Sequence, residues 1–181
     1  MQRSWMSQYD SGVPSTIDYG DQTVPDLLRG SAARFPESSA LLFYGKTISF
    51  RELDDLTTRF ALALRALGVS QGDRVALMLP NIPQAVIGYY GALKAGAIVV
   101  PINPLYVERE IQTQVIDSGC EAIVALDLFY PRIRAVQERT TLPRRIIITS
   151  LRDFLPAVKR VIYPLKAWLE SHADEARLTT R

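Results

Sequence analysis

Cysteine and histidine are almost missing from this 181-residue chain, which holds only Cys120 and His172. A single cysteine excludes an internal disulfide framework and fits a reducing compartment. A single histidine cannot build a Cys/His metal site by itself. Long apolar runs are also lacking, since none approaches the ~18–20 residues that a membrane-spanning helix needs. The first ten residues, MQRSWMSQYD, have no apolar core like that of a signal peptide. The expected location is therefore cytoplasmic, with the inner face of a membrane as a peripheral alternative.

What the chain does contain is enough apolar sequence for one real core: 48% apolar and 22% charged residues. The net charge of +2 conceals an asymmetry. Residues 1–130 hold 10 basic against 14 acidic side chains, and residues 131–181 hold 11 against 5. The basic third reads first as a solvated face, and an anionic partner is the alternative.

Three stretches can be distinguished. Residues 1–22 are polar and aperiodic and read as an extended lead-in that packs on something else. Residues 23–150 alternate strand and helix signals. Thr23–Phe35 is expected to be a short helix, capped by Thr23, with Pro25 in its first turn and Pro36 ending it. Ala40–Tyr44 is a short strand, and Gly45-Lys46 turns the chain into Thr47–Ile48. Ser49 and Glu52 spell a capping box. Leu53, Leu56, Phe60, Leu64 and Leu67 follow at helical spacing, up to a glycine stop at Gly68. Strands are expected at Arg74–Leu79, Ala97–Val100, Ala122–Leu126 and Arg145–Thr149. Helices are expected from Pro83 to about Ala95, from Val107 to Ser118 and from Pro131 to Arg139. The strands are apolar throughout, as strands covered on both faces are. The fold class that follows is α/β: alternating βα units forming a mostly parallel sheet with helices on both faces.

Residues 151–181 form the third stretch, a basic amphipathic helix and tail. In Asp153–Glu170 the residues Leu155, Val158, Val161, Ile162, Leu165, Trp168 and Leu169 recur every three or four positions. Lys159, Arg160 and Lys166 lie on other faces. Pro156 fits a first turn, while Pro164 would kink the helix at about 3 kcal/mol. Such a stripe packs on the chain's own sheet or on a neighbouring segment. Alternatively it lies in an anionic membrane interface through Lys159, Arg160, Lys166 and Trp168.

A search for chemistry yields no catalytic, cofactor-binding or metal-binding residue. Gly45-Lys46-Thr47 resembles the end of a phosphate loop, but Ala40 stands where that motif needs glycine, so a hairpin turn is the better reading. Gly88, Gly91 and Gly96 have the wrong spacing for a dinucleotide loop and suit close helix packing. Asp54 and Asp55 are adjacent on a helix and point apart. Asp18 and Asp21 sit in a loop. Cys120 precedes a buried strand and reads as a small core residue. His172 lies in a polar tail.

Several segments together resemble the N-terminal segment of the AMP-forming acyl-CoA synthetases: GVSQGDRVALMLPN at 68–81, KAGA at 94–97, VVPINP at 99–104 and DSGCEAIV at 117–124. VPSTIDYGDQTVPDLL near the start and DFLPAVKRVIYPLKAWL near the end are similar to long-chain fatty acid–CoA ligases in particular. The resemblance implies a partial N-terminal domain of an acyl-adenylate-forming ligase. The family's reaction uses ATP, Mg²⁺ and CoA to convert a fatty acid to its CoA thioester through an acyl-adenylate. The family's Ser/Thr/Gly-rich phosphate loop, its Mg²⁺-associated glutamate and its catalytic lysine have no counterpart here. No site residue is therefore carried over, and the expectation is a ligase part inactive by itself that binds none of the three cofactors. Its expected partner is the remainder of a ligase as a second chain, with self-association through open sheet edges and no role for nucleic acid. A peripheral membrane module using 153–170, or a decayed reading frame, are the alternatives.

Overall fold

The computed structural model describes residues 4–18, 20–156 and 159. The lead-in is not extended throughout. Ser4–Gln8 forms a 3-10 turn, where the Ser7 hydroxyl donates to the Ser4 carbonyl at 2.8 Å. Local bonds of this kind compete with extended backbone.

The first helix, α1, is Val24–Arg34. At its start the Asp26 carboxylate accepts both the backbone N–H and the hydroxyl of Thr23, at 2.9 and 2.6 Å. Strands β1 (Ser39–Phe43) and β2 (Lys46–Ser49) pair antiparallel. Their two-residue loop, Tyr44-Gly45, has positive φ at both positions (49° and 93°), as the twist of a tight hairpin requires. Gly45 thus belongs to a hairpin turn, which falls one residue earlier than the expected Gly45-Lys46, and Lys46 and Thr47 open β2.

Helix α2, Phe50–Ala66, begins where the Ser49 hydroxyl accepts the Glu52 N–H at 3.2 Å. Only this half of the capping box forms. Leu53, Thr57, Ala61 and Leu64 are its buried residues, with Leu56 and Phe60 half-buried and Leu67 exposed beyond its end. The chain then alternates β3 (Arg74–Met78), α3 (Pro83–Lys94), β4 (Ile98–Pro101), α4 (Glu108–Ser118), β5 (Ala122–Leu126), α5 (Tyr130–Thr140) and β6 (Arg145–Thr149).

The four strands β3–β6 pair in parallel in the order β4-β3-β5-β6. Right-handed crossovers place α3 on one face and α4 and α5 on the other, because the direction of travel across the sheet reverses after β4. Consistent with this, α2 packs on α3 while α4 packs on α5. All five residues of β5 and four of five in β3 are buried, as expected of strands covered on both faces. The edge strands β4 and β6 contain no fully buried residue, since each lacks a neighbour on one side among the described residues.

The sheet core includes Val75, Ile111, Val115, Ile123, Ile133 and Val136, all essentially inaccessible. A second cluster of Leu28, Ile48, Leu53 and Ile87 lies under the hairpin and α1. Phe60 packs against both clusters. The glycines of α3 explain how close the layers come. A Cβ on Gly91 would lie 2.6 Å from Phe60 Cδ1 and 3.0 Å from the Thr57 carbonyl oxygen, and one on Gly88 would lie 3.1 Å from Leu77 Cδ2. These residues serve packing, as their spacing suggests.

At the amino end of the sheet, Arg74 donates from Nε to the Ser118 carbonyl (3.0 Å) and from Nη2 to the Gly119 carbonyl (2.8 Å). A strand residue thereby satisfies acceptors that the end of α4 leaves open, in favourable sign for the helix dipole.

After β6 the chain makes a 3-10 turn, Leu151–Phe154, and Leu155 is extended (φ −74°, ψ 148°). The long helix expected from Asp153 therefore does not begin there. Pro156 disfavours helical backbone in the residue before it. Arg160, Lys166, Trp168 and His172 lie outside the described residues.

Candidate functional site

In open parallel sheets, ligands bind outside the carboxyl ends of the strands where the crossover direction reverses. Here that point lies between β3 and β5. The β3 side carries Leu79-Pro80-Asn81-Ile82-Pro83, and the β5 side carries Asp127-Leu128-Phe129.

Gln84, in the first turn of α3, spans the end of the sheet. Its Nε2 donates to Thr149 Oγ1 at the end of β6, at 3.4 Å, and to the Ser150 carbonyl just beyond it, at 2.9 Å. The residue is 6% exposed, and its Oε1 is buried without a protein partner. A lone glutamine in the apolar sequence PQAVIGYYGAL was the only advance sign of this bridge.

Beside Asn81 opens an apolar groove of about 450 Å³. Leu41, Leu42 and Phe43 of β1 form one wall. Ile82, Pro83, Ala85, Val86, Tyr89 and Tyr90 form the other. Only Asn81 and the tyrosine hydroxyls break its apolar lining.

The connections after β3 and β5 offer a phosphate few donors. Pro80 and Pro83 have no N–H to offer, and the Ile82 N–H donates to the Pro80 carbonyl at 2.8 Å. No lysine or arginine lies in either connection, and Asp127 would repel an anion. Among the described residues no group of three or more His, Cys, Asp and Glu side chains is placed to hold a metal.

The other residues considered from the sequence fall into structural roles. Asp54 Oδ1 accepts from Lys94 Nζ at 2.6 Å, and the same ammonium donates to the Asp54 carbonyl and to Thr58 Oγ1, both at 2.9 Å. The Lys94 side chain is only 8% exposed, so this tripod clamps α2 to α3. Asp55 pairs with Arg59 at 2.8 Å. Asp18 accepts the Gly20 N–H at 2.9 Å. Cys120 is fully buried, and desolvation pushes its thiol above the ordinary value, against weaker opposition from Ser118. It is a packing residue with no thiolate to offer. Lys159 Nζ donates to the Tyr44 carbonyl at 2.7 Å and sits 5.6 Å from the Tyr44 ring centroid.

Residues 28–176 match the model of the AMP-binding enzyme family. This chain belongs to the AMP-binding enzyme family. It is similar to the long-chain fatty acid–CoA ligase of Bacillus subtilis (strain 168), with 41% identity over 174 residues, 96% of this chain and 31% of that protein. The chain thus spans about three-tenths of the length of the curated ligases it matches, and corresponds to their N-terminal portion. Among solved structures, the N-terminal domain of FACL13 from Mycobacterium tuberculosis superposes with a TM-score of 0.66 at 29% identity. That match covers 71% of this chain and 34% of that one. A long-chain fatty acid–CoA ligase from Archaeoglobus fulgidus shares the fold, with a TM-score of 0.69 at 24% identity over 81% of this chain and 32% of that one. The parallel sheet and its covering helices are therefore those of the family's N-terminal domain. Among the described residues no helix is long and apolar enough to cross a membrane.

Proposed function

We propose that this chain supplies the opening part of the N-terminal domain of a long-chain fatty acid–CoA ligase, and that by itself it performs neither adenylation nor thioester formation. The carrying observation is 41% identity to a ligase over 96% of the chain. The lack of a phosphate cradle at the carboxyl ends of β3 and β5 supports the second clause. In this reading ATP, Mg²⁺, CoA and the fatty acid are bound by the remainder of a ligase, with which residues 23–150 share a sheet-and-helix scaffold. The partner is that remainder, joined through the open sheet edges at β4 or β6.

The test is a graft. The corresponding segment of the Bacillus subtilis ligase is replaced by this chain, and pyrophosphate release and oleoyl-CoA formation are measured. An active chimaera supports the reading. A folded chimaera that forms no thioester overturns it. The 181-residue chain alone, given ATP, Mg²⁺ and oleate, is expected to release no pyrophosphate above a boiled control.

A second reading, a peripheral module for an anionic membrane, rests on Lys159, Arg160, Lys166 and Trp168. Lys159 is already engaged with Tyr44, which weakens its claim. Co-sedimentation with phosphatidylglycerol vesicles that is lost in Trp168→Glu would support it, and no co-sedimentation would remove it.

A further inference from the structure

The two edges of the parallel sheet are not equally open. In β4 the Ile98 N–H donates to the Asp73 carbonyl at 2.8 Å, and just beyond it the Ile102 N–H donates to the Leu77 carbonyl at 3.0 Å. Even-numbered residues therefore face β3, and Val99 and Pro101 turn their backbone groups outward. Pro101 has no N–H, and its carbonyl already accepts from Gln114 Nε2 of α4 at 3.3 Å. A proline in an outward position blunts an edge, so β4 offers a further strand little beyond Val99. In β6 the Arg145 N–H donates to the Glu121 carbonyl at 3.1 Å. Arg145, Ile147 and Thr149 thus face β5. Ile146 and Ile148 turn N–H and C=O outward, where they meet no backbone partner among the described residues. No proline interrupts the run RIIIT, and Ile148 is 40% exposed. Charge is divided along this edge. At its amino end Arg144 and Arg145 share the one carboxylate of Glu121, at 3.5 and 3.8 Å. At its carboxyl end the exposed Asp153 carboxylate accepts from Thr149 Oγ1 at 3.0 Å and from the Ser150 N–H at 2.8 Å. It has no cationic partner among the described residues.

We propose that the β6 edge binds the β6 edge of a second copy of this chain, antiparallel, with Ile147 on the two-fold axis. Ile146 of each copy then exchanges both backbone hydrogen bonds with Ile148 of the other, and Ile147 meets its own copy in the closer, non-hydrogen-bonded pairing. The four-stranded sheets join into one. Charge selects this direction. Antiparallel strands bring Arg144 of one copy opposite Ser150 of the other, within reach of the Asp153 carboxylate held there. Parallel strands would instead set Arg144 and Arg145 beside their own copies, and facing like charges destabilise a strand pair. Ile148 gains a branched cross-strand neighbour that covers it. A patch that pairs with itself about a two-fold axis closes at the dimer. The same edge is one of the two to which a ligase remainder would join, so the two occupants exclude each other. Dimerisation belongs to the chain without that remainder and does not depend on the ligase reading, which thioester formation by the chimaera tests separately.

The test is sedimentation equilibrium of the full chain from micromolar to submillimolar concentration, where a monomer–dimer equilibrium is expected. Ile148→Pro removes one outward N–H and no bond to β5, a change that an edge strand accommodates. Since both copies lose a bond, dimerisation is expected to weaken about tenfold or more while the far-UV circular dichroism is kept. Cross-linking reads the register. In a Cys120→Ala background, Ile147→Cys is expected to give a disulfide-linked dimer on mild oxidation, because facing Cα atoms in such a pair lie about 4.5 Å apart. Ile146→Cys, which faces Ile148, is expected to give none. A chain that stays monomeric throughout overturns the proposal. So does a dimer that Ile148→Pro leaves unchanged, which would assign association to another surface such as the groove beside Leu42. Cross-linking by Ile146→Cys and not by Ile147→Cys would assign another register and overturn it too. Should Ile148→Pro fail to fold, the cysteine variants decide: cross-linking through position 147 supports the pairing, and its absence overturns it.

Discussion

Alanine in place of Gly91 should destabilise the fold, while alanine in place of Gly30 should stabilise it, although both glycines sit inside helices. In an open helix the exchange gains about 1 kcal/mol from helix propensity. Gly30 in α1 has open space around the added methyl group, so this gain is realised. Gly91 receives the same gain, but its methyl would lie 2.6 Å from Phe60 Cδ1 and 3.0 Å from the Thr57 carbonyl oxygen. The ring can turn. The carbonyl belongs to the α2 backbone and yields only if α2 and α3 separate. Overpacking of this kind costs about 1–3 kcal/mol. Because the propensity gain cancels, that range is also the gap between the two variants, about 2–12 °C in melting temperature for a domain of this size. Gly88→Ala meets only the flexible end of Leu77, at 3.1 Å, and should fall between them. The assay is urea unfolding of the three variants followed by circular dichroism, with the m-value checked for constancy. If Gly91→Ala stabilises as much as Gly30→Ala, then α2 and α3 do not touch where the structure places them.

Two further perturbations follow from the same geometry. Lys94→Met removes three donated bonds from a nearly buried ammonium and leaves the Asp54 carboxylate half-buried without its partner, a loss of about 1–3 kcal/mol in urea unfolding. The double variant with Asp54→Asn should recover part of that loss, and strict additivity would show that the clamp is not a coupled unit. Asp26 is held below its ordinary value of 3.8, first by the Thr23 hydroxyl, then by the Thr23 N–H and Arg29. A carboxylate with a lowered folded-state value stabilises fully above its unfolded value, and that contribution fades as pH falls toward the folded one. Asp26→Asn should therefore flatten the acid limb of the stability–pH curve between pH about 5 and the lower value, with no change of slope near neutrality. An unchanged acid limb would refute the assignment.

Much of the fold could be read from local sequence because local chemistry sets it. Ser49 caps α2. Gly68 and Gly119 take positive φ just beyond α2 and α4. Strand β5 begins and ends where its apolar run does, and β6 extends its run Ile146–Ile148 by one residue at each end. Legibility ended where distant register decides. Arg74 reaches the end of α4, and Lys94 reaches Asp54 across 40 positions. Gln84 bridges to Ser150 across 66. None of these partners is marked by spacing, since each depends on which element lies beside which. The start of the helix expected at Asp153 was misread because the apolar period continues through Pro156, whose effect on Leu155 outweighs the period. The groove was not legible at all. It is assembled from β1 and α3, whose residues lie some forty positions apart.

The shared position of Phe60 has a mechanical meaning. Two separate oil drops, one within the sheet and one under the hairpin, are joined by a single aromatic ring together with the helices α2 and α3 that run through both. Strain applied to the hairpin reaches the sheet through that ring, the backbone it leans on, and Phe43 of β1, which packs on the sheet core directly. The chain therefore behaves as a plate with a riveted flap. Loosening the rivet lets the flap swing while the plate, sewn by its own parallel ladder, keeps its shape.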